Sequence, residues 1–180
     1  MASECETKVL EINKDQLIKR LESTGAEKVG ENRLIVDWYC TEGANPDRHP
    51  WFLRIRRYSN GYAECTWKSK PVESGIMRTH KEINFALPEP DKLAELFTEL
   101  NLVTYAHQEK DRVSFTYQDW RFDIDTYPGI PTYLEIEGKD EAHIKEAMTL
   151  LGIENHAAVS SNERKLISEH YKAHWHNMRF

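Results

Sequence analysis

Apolar and polar side chains alternate with a period of two along most of the chain, the mark of strands with one buried and one polar face. The opening run places Glu4, Glu6 and Lys8 on one side and Cys5, Thr7 and Val9 on the other. A strand over about 28–40 turns Ile35, Asp37 and Tyr39 one way, Val36 and Trp38 the other. Residues 51–58 carry Arg54 and Arg56 opposite Leu53 and Ile55, and Asn60-Gly61 signals a hairpin. The return strand, 62–70, sets Glu64, Thr66, Lys68 and Lys70 against Cys65 and Trp67. After a loop at 71–75, a strand over 78–85 opposes His80, Glu82 and Asn84 to Ile83 and Phe85. Three more follow. A long one at 102–117 bears Lys110, Arg112, Ser114 and Thr116, one at 120–125 bears Arg121, Asp123 and Asp125, and one at 133–137 bears Glu135 and Glu137.

Between the strands the period changes to that of helices. Asn13 caps a helix over 14–24 with Leu17, Ile18 and Leu21 as its apolar stripe, and Gly25 stops it. Pro88-Glu89-Pro90 opens a second helix with Leu93, Leu96, Phe97 and Leu100. A third starts near Asp140, carries Ile144, Ala147, Met148 and Leu151, and ends at Gly152. Ser160 with Glu163 reads as a capping box for a last helix over about 161–177, which docks on the strands or covers one end of them.

Each strand thus has an apolar face and a charged face, and the helices need the apolar ones. The predicted class is α+β: a single domain, 1–180, in which an eight-stranded antiparallel barrel closes around the charged faces with helices packed outside. The alternative is an open sheet with one solvated face. So many charges cannot share a dry interior, because each isolated buried ion costs several kcal/mol. A closed interior therefore implies a wet channel that takes a charged ligand.

Composition narrows the partners. A net charge of −6 argues against general nucleic-acid binding. No apolar run reaches membrane length, and no signal-peptide pattern opens the chain. Three widely spaced cysteines, Cys5, Cys40 and Cys65, fit free thiols in a reducing cytoplasm. Walker, GxGxxG and HExxH motifs are missing. His170 and His174, one helical turn apart with His176 nearby, read as exposed helix surface before they read as zinc ligands. A homodimer is compatible with the chain, although no interface is legible in it.

The ordered series Glu4-x-Glu6-x-Lys8, Asp37-Trp38-Tyr39, Leu53-Arg54-Ile55-Arg56, Thr66-Trp67-Lys68, Lys110-Asp111-Arg112, Asp123-Ile124-Asp125 and Leu134-Glu135-Ile136-Glu137 resembles the CYTH superfamily, the triphosphate tunnel metalloenzymes. The resemblance covers residues 4 to 138. It implies an eight-stranded tunnel whose basic residues bind a triphosphate and whose acids bind Mg²⁺ or Mn²⁺. Activities in the family include inorganic, thiamine and RNA triphosphatase and class IV adenylyl cyclase. Two departures stand out. His80 and Asn84 replace an inward Arg and an inward acid, and Phe52 falls where the thiamine enzyme stacks a tryptophan.

The roles implied are as follows. Lys8, Arg54, Arg56, Lys68, Lys110 and Arg112 bind the triphosphate; Arg54 and Arg56 lie about 7 Å apart along their strand, the spacing of neighbouring phosphates. Glu4, Glu6, Asp123, Asp125, Glu135 and Glu137 supply hard oxygen ligands for the metal. Glu4, Glu6, Lys8 and Glu82 form the catalytic set, Glu82 holding a second metal or orienting water. The expected reaction is metal-dependent hydrolysis of a small-molecule triphosphate. A class IV adenylyl cyclase and a non-catalytic polyphosphate- or nucleotide-binding module are the alternatives.

Overall fold

The computed structural model describes residues 5–70, 72–74, 77–79 and 81–180. Glu4 and His80 therefore lie outside the described residues. The chain divides into two compact units. One takes in Met1–Asn32, Lys110–His174 and Phe180, the other Arg33–Glu109 and Trp175–Arg179.

In the first unit, strand β1 (Cys5–Val9) leads into helix α1 (Lys14–Thr24). The expected signals operate there: the Asn13 side chain accepts a hydrogen bond from the Gln16 N–H, and Gly25 leaves the helix at φ 84°. Strand β2 (Glu27–Thr41) begins here and continues into the second unit. So does β8 (Leu102–Tyr117) in the opposite sense. β9 (Trp120–Thr126) and β10 (Tyr133–Gly138) follow, then helix α3 (Glu141–Leu151), capped by Asp140 and stopped by Gly152 at φ 60°. A two-residue strand β11 (Ala158–Val159) completes the order β11-β1-β10-β9-β8. Leu17 and Leu21 of α1 and Ile144, Ala147, Met148 and Leu151 of α3 pack on Val9, Phe122, Ile124, Leu134 and Ile136. This is the apolar face the alternation assigns to helices, so the charged side chains of the same strands point the other way.

The second unit has the order β8-β2-β3-β4-β7, built from β3 (Trp51–Tyr58), β4 (Ala63–Ser69) and β7 (Glu82–Ala86). Helix α2 (Pro90–Glu99) lays Phe97 on Tyr39, Leu53, Ile55 and Cys65. Leu96 and Leu100, expected in that stripe, are exposed. A last strand, β12 (Asn177–Met178), pairs parallel to β8 at His107 and Gln108.

The eight predicted strands all occur, but β11 and β12 bring the main sheet to ten. Nor is that sheet a closed barrel: its ladder path ends at β11 in one unit and at β7 in the other, with no ladder among the described residues joining the two. Closure was expected because helices need the apolar faces, which leaves the charged faces turned inward; the helices do cover the apolar faces, and the charged side chains pair with one another on the sheet face. The predicted strand over 78–85 is also divided. Its first part is β6 (Met77–Thr79), paired in a separate two-stranded sheet with β5 (Val72–Ser74), and its second part is β7, paired with β4.

The predicted last helix is shorter than expected. A single turn, α4 (Glu163–Lys165), passes into a π-helical turn over Leu166–His170, and Lys172 at φ 55° ends it. Its cap is Asn162, whose side chain accepts from the Lys165 N–H, and not Ser160.

Candidate functional site

Register builds the charged face of the first unit. β1 and β10 set Lys8 opposite Glu135 and Glu6 opposite Glu137; β10 and β9 set Glu135 opposite Asp123. β8 adds Arg112 opposite Asp125 and Ser114 opposite Asp123. Every second residue of four neighbouring strands therefore meets on one surface.

At one end of this face the Lys8 ammonium is 2.9 Å from Glu135 and 3.4 Å from Glu6. Burial alone would lower the Lys8 pKa, but Glu135 and Glu6 outweigh it and hold the pKa above its ordinary value. Carboxylate oxygens of Glu6, Glu135 and Glu137 lie within 4.8 Å of one another. Glu6 and Glu137 face each other directly across the ladder, a like-charge pairing that costs stability unless a cation joins it. Three hard oxygen donors at this separation could hold a hard divalent cation. His170, His174 and His176 are not part of any such cluster among the described residues.

The middle of the face belongs to Arg112. Its Nε and Nη2 donate to both oxygens of Asp125 at 2.6 Å, and its Nη1 donates to Asp123 at 2.6 Å. Glu135 is 3.5 Å from Nη2. Ser114 and Arg121 also donate to Asp123. Asp125 has 0% side-chain exposure, which by itself would raise its pKa; Arg112 and Lys110 reverse that and hold it below the ordinary carboxylate value.

Beyond Arg112, Lys110 is buried with 3% of its side chain exposed. It donates to Asp125 at 2.8 Å and to Glu163 at 2.5 Å. Tyr133 donates to the same Glu163 oxygen at 3.1 Å, and the Lys110 ammonium lies 5.2 Å from the Tyr127 ring centroid. Burial first, then the Glu163 charge, raises both tyrosine pKa values. Against the penalty of burial, Lys110 and the Tyr127 hydroxyl hold Glu163 ionised far below its usual pKa.

Glu163 is the functional-face residue that sequence reasoning missed. Spacing from Ser160 made it half of a capping box, and nothing local ties a helix-start acid to a strand lysine 53 positions away. Tyr127 and Tyr133 were missed as well, although parity could have found them, since 127 continues 123 and 125 while 133 precedes 135 and 137.

The second unit has its own charged face. β3 and β4 set Arg54 opposite Thr66 and Arg56 opposite Glu64, and β4 and β7 set Lys68 opposite Glu82. Arg56 bonds Glu64 at 2.9 Å, Lys68 lies 2.7 Å from Glu82, and Thr66 donates to Asn84 at 3.2 Å. Arg54 lies over the Trp38 ring, 5.4 Å from its centroid. On the helix side of this sheet, Asp37 joins Arg57 and His107, each at 2.7 Å.

Residues 2–165 match the CYTH domain. The chain belongs to the CYTH family. Among solved structures, this CYTH chain resembles the PH1819 protein of Pyrococcus horikoshii OT3 at 21% identity and TM-score 0.69, over 93% of this chain and 99% of that one. It resembles a proposed adenylate cyclase of Vibrio parahaemolyticus at 14% identity and TM-score 0.69, over 92% and 97%. HpAC1 of Hippeastrum, a proposed adenylyl cyclase with a dominant triphosphatase activity, is 12% identical at TM-score 0.67, over 93% and 95%. At these identities the likeness shows the fold alone. No curated protein sequence matches this CYTH chain.

Proposed function

We propose that this CYTH protein hydrolyses a small-molecule triphosphate with the help of Mg²⁺ or Mn²⁺. The observation that carries the reading is the first unit's charged face, where Lys8 and Arg112 converge in register with five carboxylates, three of them the Glu6, Glu135 and Glu137 cluster. A face meant only for solvent has no need to fix an arginine on two aspartates with three bonds at 2.6 Å.

In this reading Lys8 and Arg112 bind phosphate oxygens, Lys8 releasing Glu6 and Glu135 to the cation. Glu6, Glu135 and Glu137 would hold the metal, with Glu4 of the same motif; bound there, it neutralises phosphate charge and activates water. Asp123 and Asp125 act mainly by fixing Arg112. Lys110, expected at phosphate, donates to Asp125 and Glu163, so in this reading it orders the acids and adds positive charge behind Arg112. Arg54, Arg56 and Lys68 are the phosphate-binding cations of the second unit, and Glu82 sets the position of Lys68. Phosphoryl transfer asks chiefly for such positioning and charge stabilisation.

Adenylyl cyclase chemistry is the second reading, favoured by the likeness to the Vibrio protein, whereas the dominant triphosphatase activity of the Hippeastrum protein supports hydrolysis. A cytoplasmic setting agrees with the free thiols of Cys5, Cys40 and Cys65, the last pushed up to about 11 by burial. Among the described residues no helix is long and apolar enough to cross a membrane.

The deciding experiment supplies tripolyphosphate and ATP separately with Mg²⁺ or Mn²⁺ and measures orthophosphate, pyrophosphate and cyclic AMP. Orthophosphate from tripolyphosphate, lost in Glu6→Ala/Glu135→Ala, is the expected result. Cyclic AMP with pyrophosphate would transfer the assignment to a cyclase. Binding without turnover would leave a polyphosphate-binding module.

A further inference from the structure

The second unit holds a built aromatic contact that the proposed chemistry does not use. Gln108 of β8 is 1% exposed, and both ends of its amide are committed. Its Oε1 accepts from the Trp38 Nε1–H at 2.6 Å, and its Nε2 donates to the Trp175 carbonyl at 2.7 Å. The Trp175 ring, itself buried, packs on Trp38 with centroids 5.5 Å apart, and Tyr105 lies 6.3 Å from it on β8. The backbone reinforces the contact: the His107 N–H donates to the His176 carbonyl at 2.9 Å, and β12 continues the pairing. Trp38 in turn stands directly opposite Arg54 in the β2–β3 register, with the guanidinium over its ring.

We infer that Trp175 is a positioning residue: the C-terminal strap presses it on Trp38, and Trp38 holds the Arg54 guanidinium in place for a phosphate group. This rests on the assignment of Arg54 to phosphate binding. An arginine side chain gives up substantial rotamer freedom when it grips an anion, and a ring that holds it beforehand removes part of that cost. The residues that match the CYTH domain stop at 165, whereas the strap begins after them.

The test compares wild type with Trp175→Leu, which fills the slot without a ring, and Trp175→Phe, which restores one. Trp175→Leu is expected to raise KM and Kd for tripolyphosphate about tenfold, kcat changing less, with Trp175→Phe recovering most of the loss. In the unliganded proteins, the Nε–Hε resonance of Arg54 (identified with Arg54→Lys) is expected to lose its ring-current shift in Trp175→Leu and regain it in Trp175→Phe. Should Trp175→Leu fail to fold, Gln108→Met, which removes both amide bonds, takes its place with the same expectations. A folded variant with unchanged Kd and an unmoved Arg54 resonance overturns the inference. If wild type itself does not bind tripolyphosphate, the triphosphate reading falls. The resonance then decides the positioning alone, its collapse supporting the inference and its persistence overturning it.

Discussion

Glu163 shows how a single side chain can hold a charged face together. It answers the Lys110 ammonium at 2.5 Å and takes the Tyr133 hydroxyl, so Lys110 and Asp125 need not face the low-dielectric interior alone. Glu163→Gln keeps the shape and removes the charge, and breaking such a pair is expected to cost about 3 kcal/mol. Urea unfolding at neutral pH measures it. The pH dependence has a definite sign. The pKa values of Glu163 and Asp125 are both depressed in the fold, so their contribution is complete above the unfolded carboxylate values and fades as pH falls through the folded ones. The gap between wild type and Glu163→Gln should therefore be full at pH 7 and shrink below about pH 4. A gap that is constant down to strong acid would mean that the charge of Glu163 does not matter. Parity along 110, 112 and 114 was enough to put Lys110 on the charged face. It could not show that Lys110 also meets Glu163, because that partner sits on a turn with no periodic relation to the strand.

Among the elements, β10 and α3 meet at Gly138, and the contact leaves no space for a side chain. A Cβ there would lie 2.9 Å from the His143 ring nitrogen Nδ1 and 3.2 Å from Ile144. His143 cannot yield easily, because its ring stacks on Trp120 at 4.4 Å and its carbonyl accepts the Trp120 Nε1–H. Gly138→Ala is expected to push α3 off the sheet and cost about 1–3 kcal/mol, seen as a lower denaturation midpoint. An unchanged midpoint would mean that α3 gives way freely. The helices α1 and α3 were legible because an apolar stripe, a cap and a stopping glycine coincide in each. The long strands were legible because alternation persists for many residues. The break between β6 and β7 was not, since the sequence on both sides suits a strand and only the choice of partner separates them. The end of the chain was harder still: Lys172 leaves the helix at positive φ, and β12 owes its existence to a distant strand, which no local pattern records.

For the molecule as a whole, a net charge of −6 makes an anionic substrate unwelcome except where cations are concentrated. The chain nevertheless sets Glu6 against Glu137 across a ladder, with Glu135 within 4.8 Å, where Lys8 tempers Glu6 and Glu135 and Arg112 reaches Glu135 at 3.5 Å. If these acids are there for a divalent cation, the free protein holds a repulsion that the ion relieves, and metal alone should stabilise it. Mass action then gives about 2.7 kcal/mol at a hundredfold excess over Kd. Thermal melts in Mn²⁺ or Mg²⁺ are expected to show Tm rising with metal concentration, and a chelator should return it to the starting value. Glu6→Gln/Glu137→Gln makes the comparison decisive. Removing the facing charges should raise Tm in the absence of metal and abolish the further rise on adding it. A double variant still stabilised by the ion would mean that the carboxylates are not a metal site. Such an outcome would leave only the cationic side of the face to account for triphosphate binding.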